Sequence, residues 1–164
     1  MTNLALEQAL GRMQVPFARA RVGDRYVLEM LREKQWLFGG ENSGHIICLD
    51  KHTTGDGIVS ALQVLCALRS TGSTLAEMTS DLAMFPQVLL NVEVPRGFDW
   101  KRHRTIADAK AQAERQMNGL GRVLLRPSGT EPVLRVMVEG EPRAAIESAA
   151  EAIAAAVRKS AARA

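Results

Sequence analysis

Residues 122–140 read RVLLRPSGTEPVLRVMVEG, and this stretch decides the fold of the second half of the chain. Two apolar runs enclose a short polar turn at 126–132, a pattern that predicts a pair of strands joined by a loop. Pro, Ser and Gly are ordinary residues for such a turn. The turn also has donors for an anion: the guanidinium of Arg126, the hydroxyls of Ser128 and Thr130, and backbone N–H groups that Gly129 allows to converge. These residues alone support phosphate binding and a plain turn about equally.

A second polar loop, GGENSGH at 39–45, lies between two short apolar runs in the first half of the chain. Glu41 accepts hydrogen bonds, Asn42 and Ser43 can donate or accept, and His45 can do either. This mixture suits a ligand with several hydroxyl groups, such as a sugar. A polar loop joining two strands explains the same residues, and without further observations that simpler interpretation is slightly favoured.

Composition limits the class of protein. The chain has 164 residues, of which 46% are hydrophobic, enough for one ordinary domain or two small ones. The net charge is +3 with no basic block, so we do not expect nucleic-acid binding. No apolar run approaches the ~20 residues that span a bilayer, and no export signal precedes the first helix. We therefore expect no membrane association, a cytoplasmic location, and reduced thiols at Cys48 and Cys66.

Strands and helices alternate along the chain, which favours an α/β arrangement. Hydrophobic periodicity predicts helices at 2–10, 24–34, 58–68, 75–82, 105–117 and 142–159, and strands at 15–22, 36–38, 45–49 and 87–94. The small polar residues 69–74 are the expected linker. A metal site at His45, Cys48 and His52 is not expected, because a fourth ligand is missing. We also find no nucleophilic triad.

Three ordered motifs together resemble the C-terminal half of the α-D-phosphohexomutases: GENSGH at 40–45, TTGDG at 53–57 and RPSGTEP at 126–132. Flanking segments VGDRYV at 22–27 and LRVMVEG at 134–140 extend the resemblance over essentially the whole chain. It implies a truncated α/β sugar-recognition domain at 1–70, corresponding to most of domain 3. A small domain 4 at 75–164 would follow, with an antiparallel sheet flanked by helices. The implied sugar-binding residues are Glu41, Ser43 and His45, and the implied phosphate-binding residues are Arg126, Ser128, Gly129 and Thr130.

The resemblance also implies a reaction. The most similar members interconvert glucosamine 6-phosphate and glucosamine 1-phosphate through a phosphoserine enzyme and a bisphosphate intermediate, assisted by Mg²⁺. The implied partners are a phosphosugar and the N-terminal domains of the parent enzyme. This chain has no phospho-acceptor serine loop, and Gly55, Asp56 and Gly57 supply only one carboxylate where the family has a metal loop. We therefore expect no catalytic residue or metal ligand here, and binding without turnover.

Other interpretations remain open at this stage. The parent could be a phosphomannomutase or phosphoglucomutase, because selectivity among hexoses depends on hydroxyl placement. The chain could also be a stand-alone phosphosugar-binding module. An interaction domain, or a homodimer formed through an exposed sheet edge, is a third alternative.

Overall fold

A computed structural model describes residues 1–163 of the chain. Contacts within the chain group it into two compact units, Met1–Ala83 and Met84–Ala164. The first unit alternates helices with a small sheet, and the second combines an antiparallel sheet with helices. The predicted fold class, α/β followed by α+β, is confirmed.

The first unit contains α1 (Leu4–Arg12), α2 (Asp24–Lys34), β1 (Phe38–Gly40), β2 (Ile46–Cys48), α3 (Gly57–Thr71) and α4 (Leu75–Thr79). Helices α1, α3 and α4 begin at residues whose side chains satisfy free N–H groups of the first turn. The Asn3 side chain accepts from the Ala5 N–H at 3.0 Å. Thr74 and Glu77 form a reciprocal capping box at α4.

Strands β1 and β2 form an antiparallel hairpin, with Phe38 opposite Cys48 and Gly40 opposite Ile46. Helix α2 packs closely on this hairpin at Gly39. A Cβ atom there would lie 2.6 Å from a Val27 methyl group, so a larger residue would push the helix away. The hairpin therefore holds the polar loop at 41–45 in a fixed position beside α2.

Residues 15–22, predicted as a strand, form none, and that prediction was wrong. A strand needs a hydrogen-bonded neighbour, but among residues 1–163 the first unit has only the two-stranded β1–β2 sheet. Arg19 donates to the Glu7 carboxylate at 2.8 Å and to the Thr2 carbonyl at 2.8 Å. The segment is thus held to α1 by its side chain. The predicted linker is partly helical, since α3 continues to Thr71.

The second unit contains β3 (Gln87–Glu93), a 3-10 turn (Trp100–Arg102), α5 (Arg104–Met117), β4 (Gly121–Pro127), β5 (Val133–Gly140) and α6 (Arg143–Ala161). Strand β5 is central, and β3 and β4 pair with it in antiparallel fashion. Both long helices cover the same sheet face. Pairing of two copies through a sheet edge, the expected homodimer, stays a prediction.

Side-chain alternation along the strands builds the core of this unit. Leu134, Val136 and Val138 of β5 are at most 1% exposed and point toward the helices. From α6, Ile146 and Ile153 are fully buried against them. Burying one such aliphatic side chain contributes about 1.5–3 kcal/mol. This packing fixes β4 and β5, and hence both ends of the loop between them.

The opposite sheet face is polar at one end. Glu139 on β5 is 0% exposed and forms an ion pair with Arg122 on β4. Gln87 on β3 also donates to the Glu139 carboxylate, at 3.3 Å. A buried carboxylate requires such partners. Over the described part of the chain, no helix has the length and apolar character needed to cross a bilayer.

Candidate functional site

The predicted phosphate loop connects β4 to β5 and is held by its own hydrogen bonds. The Ser128 N–H donates to the Val133 carbonyl at 2.9 Å and closes the loop. The Ser128 hydroxyl oxygen accepts from the N–H groups of Glu131 at 3.2 Å and Thr130 at 3.4 Å. Because the hydroxyl accepts from the backbone, its own proton remains available to donate to a ligand. The loop thus has a defined shape, and the Ser128 hydroxyl can still donate one hydrogen bond.

Gly129 is surrounded by open space. A Cβ atom built on it would meet no atom within 4 Å, and its φ is not in the left-handed region. Neither the backbone conformation nor the packing within residues 1–163 therefore requires glycine at this position. A requirement for close approach by a ligand would explain glycine here.

The loop forms one wall of a cleft of about 560 Å³, whose other wall is the segment 94–100 after β3. Both walls belong to the second unit. The Val94 N–H donates to the Pro132 carbonyl at 2.9 Å and joins the walls at their base. The volume lies within the range of small-molecule sites, about 300–1,000 Å³. Arg126 is not among the lining residues, although it comes directly before Pro127, which is.

Two arginines face each other at the end of the sheet. Arg126 on β4 lies directly opposite Arg135 on β5, on the face away from the helices. Side chains in such positions have Cβ atoms about 5 Å apart, and like charges there are destabilising. One carboxylate, Glu131, lies 3.6 Å from the Arg135 guanidinium. The Nε atom of Arg135 is buried without a hydrogen-bond partner. An anion between the two guanidinium groups would relieve both problems.

In the first unit, the loop at 41–45 is also closed by backbone hydrogen bonds. The Glu41 N–H donates to the His45 carbonyl at 2.9 Å, and the Gly44 N–H donates to the Glu41 carbonyl at 3.1 Å. The Glu41 carboxylate accepts from the Gly23 N–H at 2.9 Å. Glu41 therefore fixes the loop to the start of α2, and its second carboxylate oxygen can accept from a ligand.

The His45 ring is held between two neighbours. Its Nδ1 atom lies 3.7 Å from the Asp24 carboxylate. Its Nε2 atom lies so close to Gly55 that a Cβ on that residue would be 1.6 Å away. The imidazole thus occupies space that a side chain at position 55 would fill, a role of Gly55 that the sequence alone did not reveal.

The remaining polar side chains around this loop differ in whether they already have an interaction partner. Ser43 is exposed, and its hydroxyl has no hydrogen-bond partner within residues 1–163. Arg25 is paired with Glu29 at 2.8 Å, and this hydrogen bond raises the pKa of the Arg25 guanidinium. Arg21 stacks on the Tyr26 ring, with the guanidinium carbon 3.8 Å from its centroid. Arg25 is thus committed within α2, whereas Ser43 is available to a ligand.

Asp56 caps α3. Its carboxylate accepts from the N–H groups of Ile58 and Val59, both at 2.9 Å. The hydrogen bond from Val59, followed by that from Ile58, lowers the pKa of the Asp56 carboxyl.

Within the described part of the chain, no group of three or more His, Cys, Asp or Glu residues could hold a metal ion. The donor set present does not fit Mg²⁺, which prefers several oxygen ligands.

Comparison with known proteins identifies the family. A model of phosphoglucomutase/phosphomannomutase, alpha/beta/alpha domain III, matches residues 1–85, and a model of the C-terminal domain of the same proteins matches residues 89–156. The chain belongs to the phosphoglucomutase/phosphomannomutase family. This confirms the resemblance to the α-D-phosphohexomutases.

Individual relatives refine the comparison. The phosphoglucosamine mutase of Dechloromonas aromatica is 63% identical over 161 residues, which is 98% of this chain and 36% of that protein. The structure of Aspergillus fumigatus N-acetylphosphoglucosamine mutase shares the fold, with a TM-score of 0.77 and 21% identity over 98% of this chain and 37% of that one. A complex of the Aspergillus enzyme with GlcNAc-6P and magnesium aligns over 66% of this chain and 22% of that one, at TM-score 0.50 and 27% identity. The chain thus spans about a third of the length of its relatives.

The predicted site residues lie in both units. Glu41, Ser43 and His45 share the hairpin loop of the first, and the other four lie at or next to the cleft of the second. Their roles as ligands stay predictions. Two residues beside these sites were missed: Gly55 and Arg135. Strand alternation could have revealed that Arg135 shares a face with Arg126, whereas the place of Gly55 depends on a tertiary contact.

Proposed function

We propose that this chain is the sugar-recognition and phosphate-anchoring part of a phosphoglucosamine mutase. The parent reaction is the interconversion of glucosamine 6-phosphate and glucosamine 1-phosphate. The observation on which the proposal depends is the placement of Arg126 opposite Arg135 beside the phosphate loop. Within the described residues, only Arg135 of this pair has a carboxylate partner, Glu131. A close relative named phosphoglucosamine mutase supports glucosamine over other hexoses.

Phosphate is the ligand that best suits the second unit. Arginine offers a planar fork of N–H donors that matches phosphate oxygens, and two such forks from one sheet face can hold one dianion. The Ser128 hydroxyl and the Thr130 hydroxyl add neutral donors beside them. In our proposal this loop anchors the phosphate that stays on the sugar and takes no part in bond-making.

The loop of the first unit would recognise the sugar. Ser43 donates or accepts at an exposed position, and Glu41 and His45 are held in place by Gly23 and Gly55. Fixed acceptors and donors suit the hydroxyl pattern of a hexose, because they do not have to be reorganised on binding. The sugar-binding assignment of Glu41, Ser43 and His45 is part of this proposal.

The remaining chemistry is assigned to other parts of the parent protein. We propose that its N-terminal domains supply the phosphoserine and the oxygen ligands for Mg²⁺, which would stabilise charge during phosphoryl transfer. This chain would then bind substrate without converting it. The proposed activity is that of a cytoplasmic enzyme making precursors of cell-wall sugar nucleotides.

Phosphate anchoring can be tested by titrating the 164-residue chain with inorganic phosphate and following amide chemical shifts of Ser128, Gly129 and Thr130. Each hydrogen bond to a charged group is worth about 1.5–3 kcal/mol. Arg126→Gln and Arg135→Gln should therefore each raise Kd by about tenfold or more. Arg143→Gln is the control, because Arg143 pairs with Glu147 on α6 at 2.8 Å, away from the loop.

An absence of shifts at millimolar phosphate would contradict the anchoring role, as would equal Kd values for all three variants. Lack of turnover needs a separate assay. The chain should produce no glucosamine 1-phosphate above buffer when incubated with glucosamine 6-phosphate, Mg²⁺ and a hexose bisphosphate primer. Turnover that scales with protein concentration would show that catalytic groups are present in this chain.

A further inference from the structure

We propose that Arg96 is a second cationic contact to the bound phosphate, acting from the wall of the cleft opposite the phosphate loop. The inference rests on the proposed function, and it adds a residue outside the three motifs of the family resemblance. Arg96 lies in the segment 94–100 that lines the cleft.

Arg96 occupies the tip of a tight turn. The Phe98 N–H donates to the Pro95 carbonyl at 3.1 Å, which places Arg96 and Gly97 at the two central positions. Gly97 has φ +79°, the left-handed conformation that a type II turn requires at its second central residue. A side chain at the first central position projects from the turn. This turn forms one wall, and Arg96 lines the cleft from that wall.

The turn is anchored on both sides. Before it, the Val94 N–H bonds to the Pro132 carbonyl at 2.9 Å, at the base of the phosphate loop. After it, Phe98 stacks on His103 with ring centroids 4.6 Å apart, and Phe98 and Trp100 pack against the core of the unit. Arg96 therefore starts from a fixed backbone position, and little ordering is required when a ligand binds.

The charges around the cleft leave Arg96 without a partner. Within residues 1–163 its guanidinium forms no ion pair or hydrogen bond. The two carboxylates that line the cleft are occupied: Asp99 pairs with Arg102 at 3.2 Å, and Glu131 with Arg135 at 3.6 Å. Asp99 also accepts from the Lys101 N–H at 3.2 Å. The uncommitted charge in the cleft is thus positive, which selects an anion.

A phosphate monoester is the anion that fits this arrangement. Its oxygens point in several directions, so donors on opposite walls can bind it at the same time. The phosphate loop would bind one side and Arg96 another. Neutral hexoses offer no charge for Arg96 to complement.

The experiment compares the full chain with Arg96→Gln and with Arg104→Gln, in titrations with inorganic phosphate and separately with glucosamine 6-phosphate. Arg104 is a matched control, because it is exposed in the same unit, pairs with Asp108 at 3.7 Å and does not line the cleft. Amide shifts of Ser128 and Thr130 report binding. For Arg96→Gln we expect Kd to rise about threefold to tenfold with both ligands, in the range for a partly exposed charged contact.

The outcomes separate this inference from the proposed function. If the unmodified chain shows no shifts in the phosphate loop, the proposed function fails and the inference fails with it. If the unmodified chain binds and Arg96→Gln matches Arg104→Gln, the proposed function stands and the role of Arg96 is refuted. An effect with glucosamine 6-phosphate alone would assign Arg96 to the sugar and also overturn a phosphate contact.

Discussion

Replacing Gly129 with alanine separates a structural reason for this glycine from a functional one. A Cβ atom at this position meets nothing within 4 Å, and the backbone is outside the left-handed region. The folded chain should therefore accept the methyl group without strain. Because alanine restricts the unfolded chain more than glycine does, the free energy of unfolding should be unchanged or should rise by about 0.4–1 kcal/mol.

Ligand binding should respond in the opposite direction. If phosphate oxygens approach the Gly129 backbone, the added methyl group overlaps them, and overpacking of this kind costs about 1–3 kcal/mol. That corresponds to a rise in Kd of about 5-fold to 150-fold. Urea unfolding measures the first quantity, and titration of the Thr130 amide with inorganic phosphate measures the second. Gly11→Ala is the matched control, because its Cβ would also meet nothing within 4 Å.

An unchanged Kd for Gly129→Ala, with unfolding equal to that of the parent chain, would refute the reasoning, because the ligand would then not approach this backbone. A large loss of stability would instead refute the claim that the folded chain accepts a methyl group at position 129 without strain. Gly11 lies in α1, so the Gly11→Ala control should raise the free energy of unfolding by up to about 1 kcal/mol and leave the Kd for phosphate unchanged.

Three further predictions address the rest of the fold. Gly55→Ala should displace the His45 ring and shift the amide signals of the 41–45 loop, because the added Cβ would lie 1.6 Å from His45 Nε2. Gly57→Ala is the control, since its Cβ would lie in open space, and it should leave those amide signals unchanged. Equal spectra for both variants would contradict the packing of His45 against Gly55. Ile153→Ala should lower the free energy of unfolding in urea by about 2–5 kcal/mol because the side chain is fully buried, and a loss under about 1 kcal/mol would mean that α6 is loosely packed. Asp56→Asn should remove a pH dependence of stability. The capping hydrogen bonds lower the pKa of the Asp56 carboxyl, so the stabilisation by the carboxylate is complete above the ordinary pKa of about 4. That stabilisation is lost as the pH falls through the lower pKa of the folded state. Thermal unfolding from pH 6 to pH 2 should therefore show the variant and the parent chain converging at the acidic end; a constant difference would contradict this.

Much of the architecture could be predicted because local pattern and tertiary packing agree. The apolar stripes that predicted helices at 24–34 and 105–117 are the faces that pack in α2 and α5, and the alternation in β5 matches its buried face. The strand prediction for 15–22 was wrong because local pattern and tertiary packing disagree there. The alternation is strand-like, yet Arg19 binds Glu7 and the segment has no strand neighbour in the described structure.

The candidate site was only partly predictable. Both loops were located because glycine, proline and clustered polar residues mark them in the sequence. The pairing of Arg126 with Arg135 depends on strand register, which a single sequence leaves undetermined. The contact between Gly55 and His45 and the place of Arg96 in the cleft arise from packing between separate segments of the chain. Such tertiary contacts cannot be predicted from local spacing.

The most direct test of the central claim is a titration of the 164-residue chain with glucosamine 6-phosphate, in which amide shifts are followed over the whole chain. The account predicts saturable shifts at 128–130 and at 41–45, with inorganic phosphate affecting 128–130 and neutral glucosamine leaving 128–130 unchanged. The absence of saturable shifts in both loops at millimolar glucosamine 6-phosphate, in a chain that gives a well-dispersed spectrum, would contradict it.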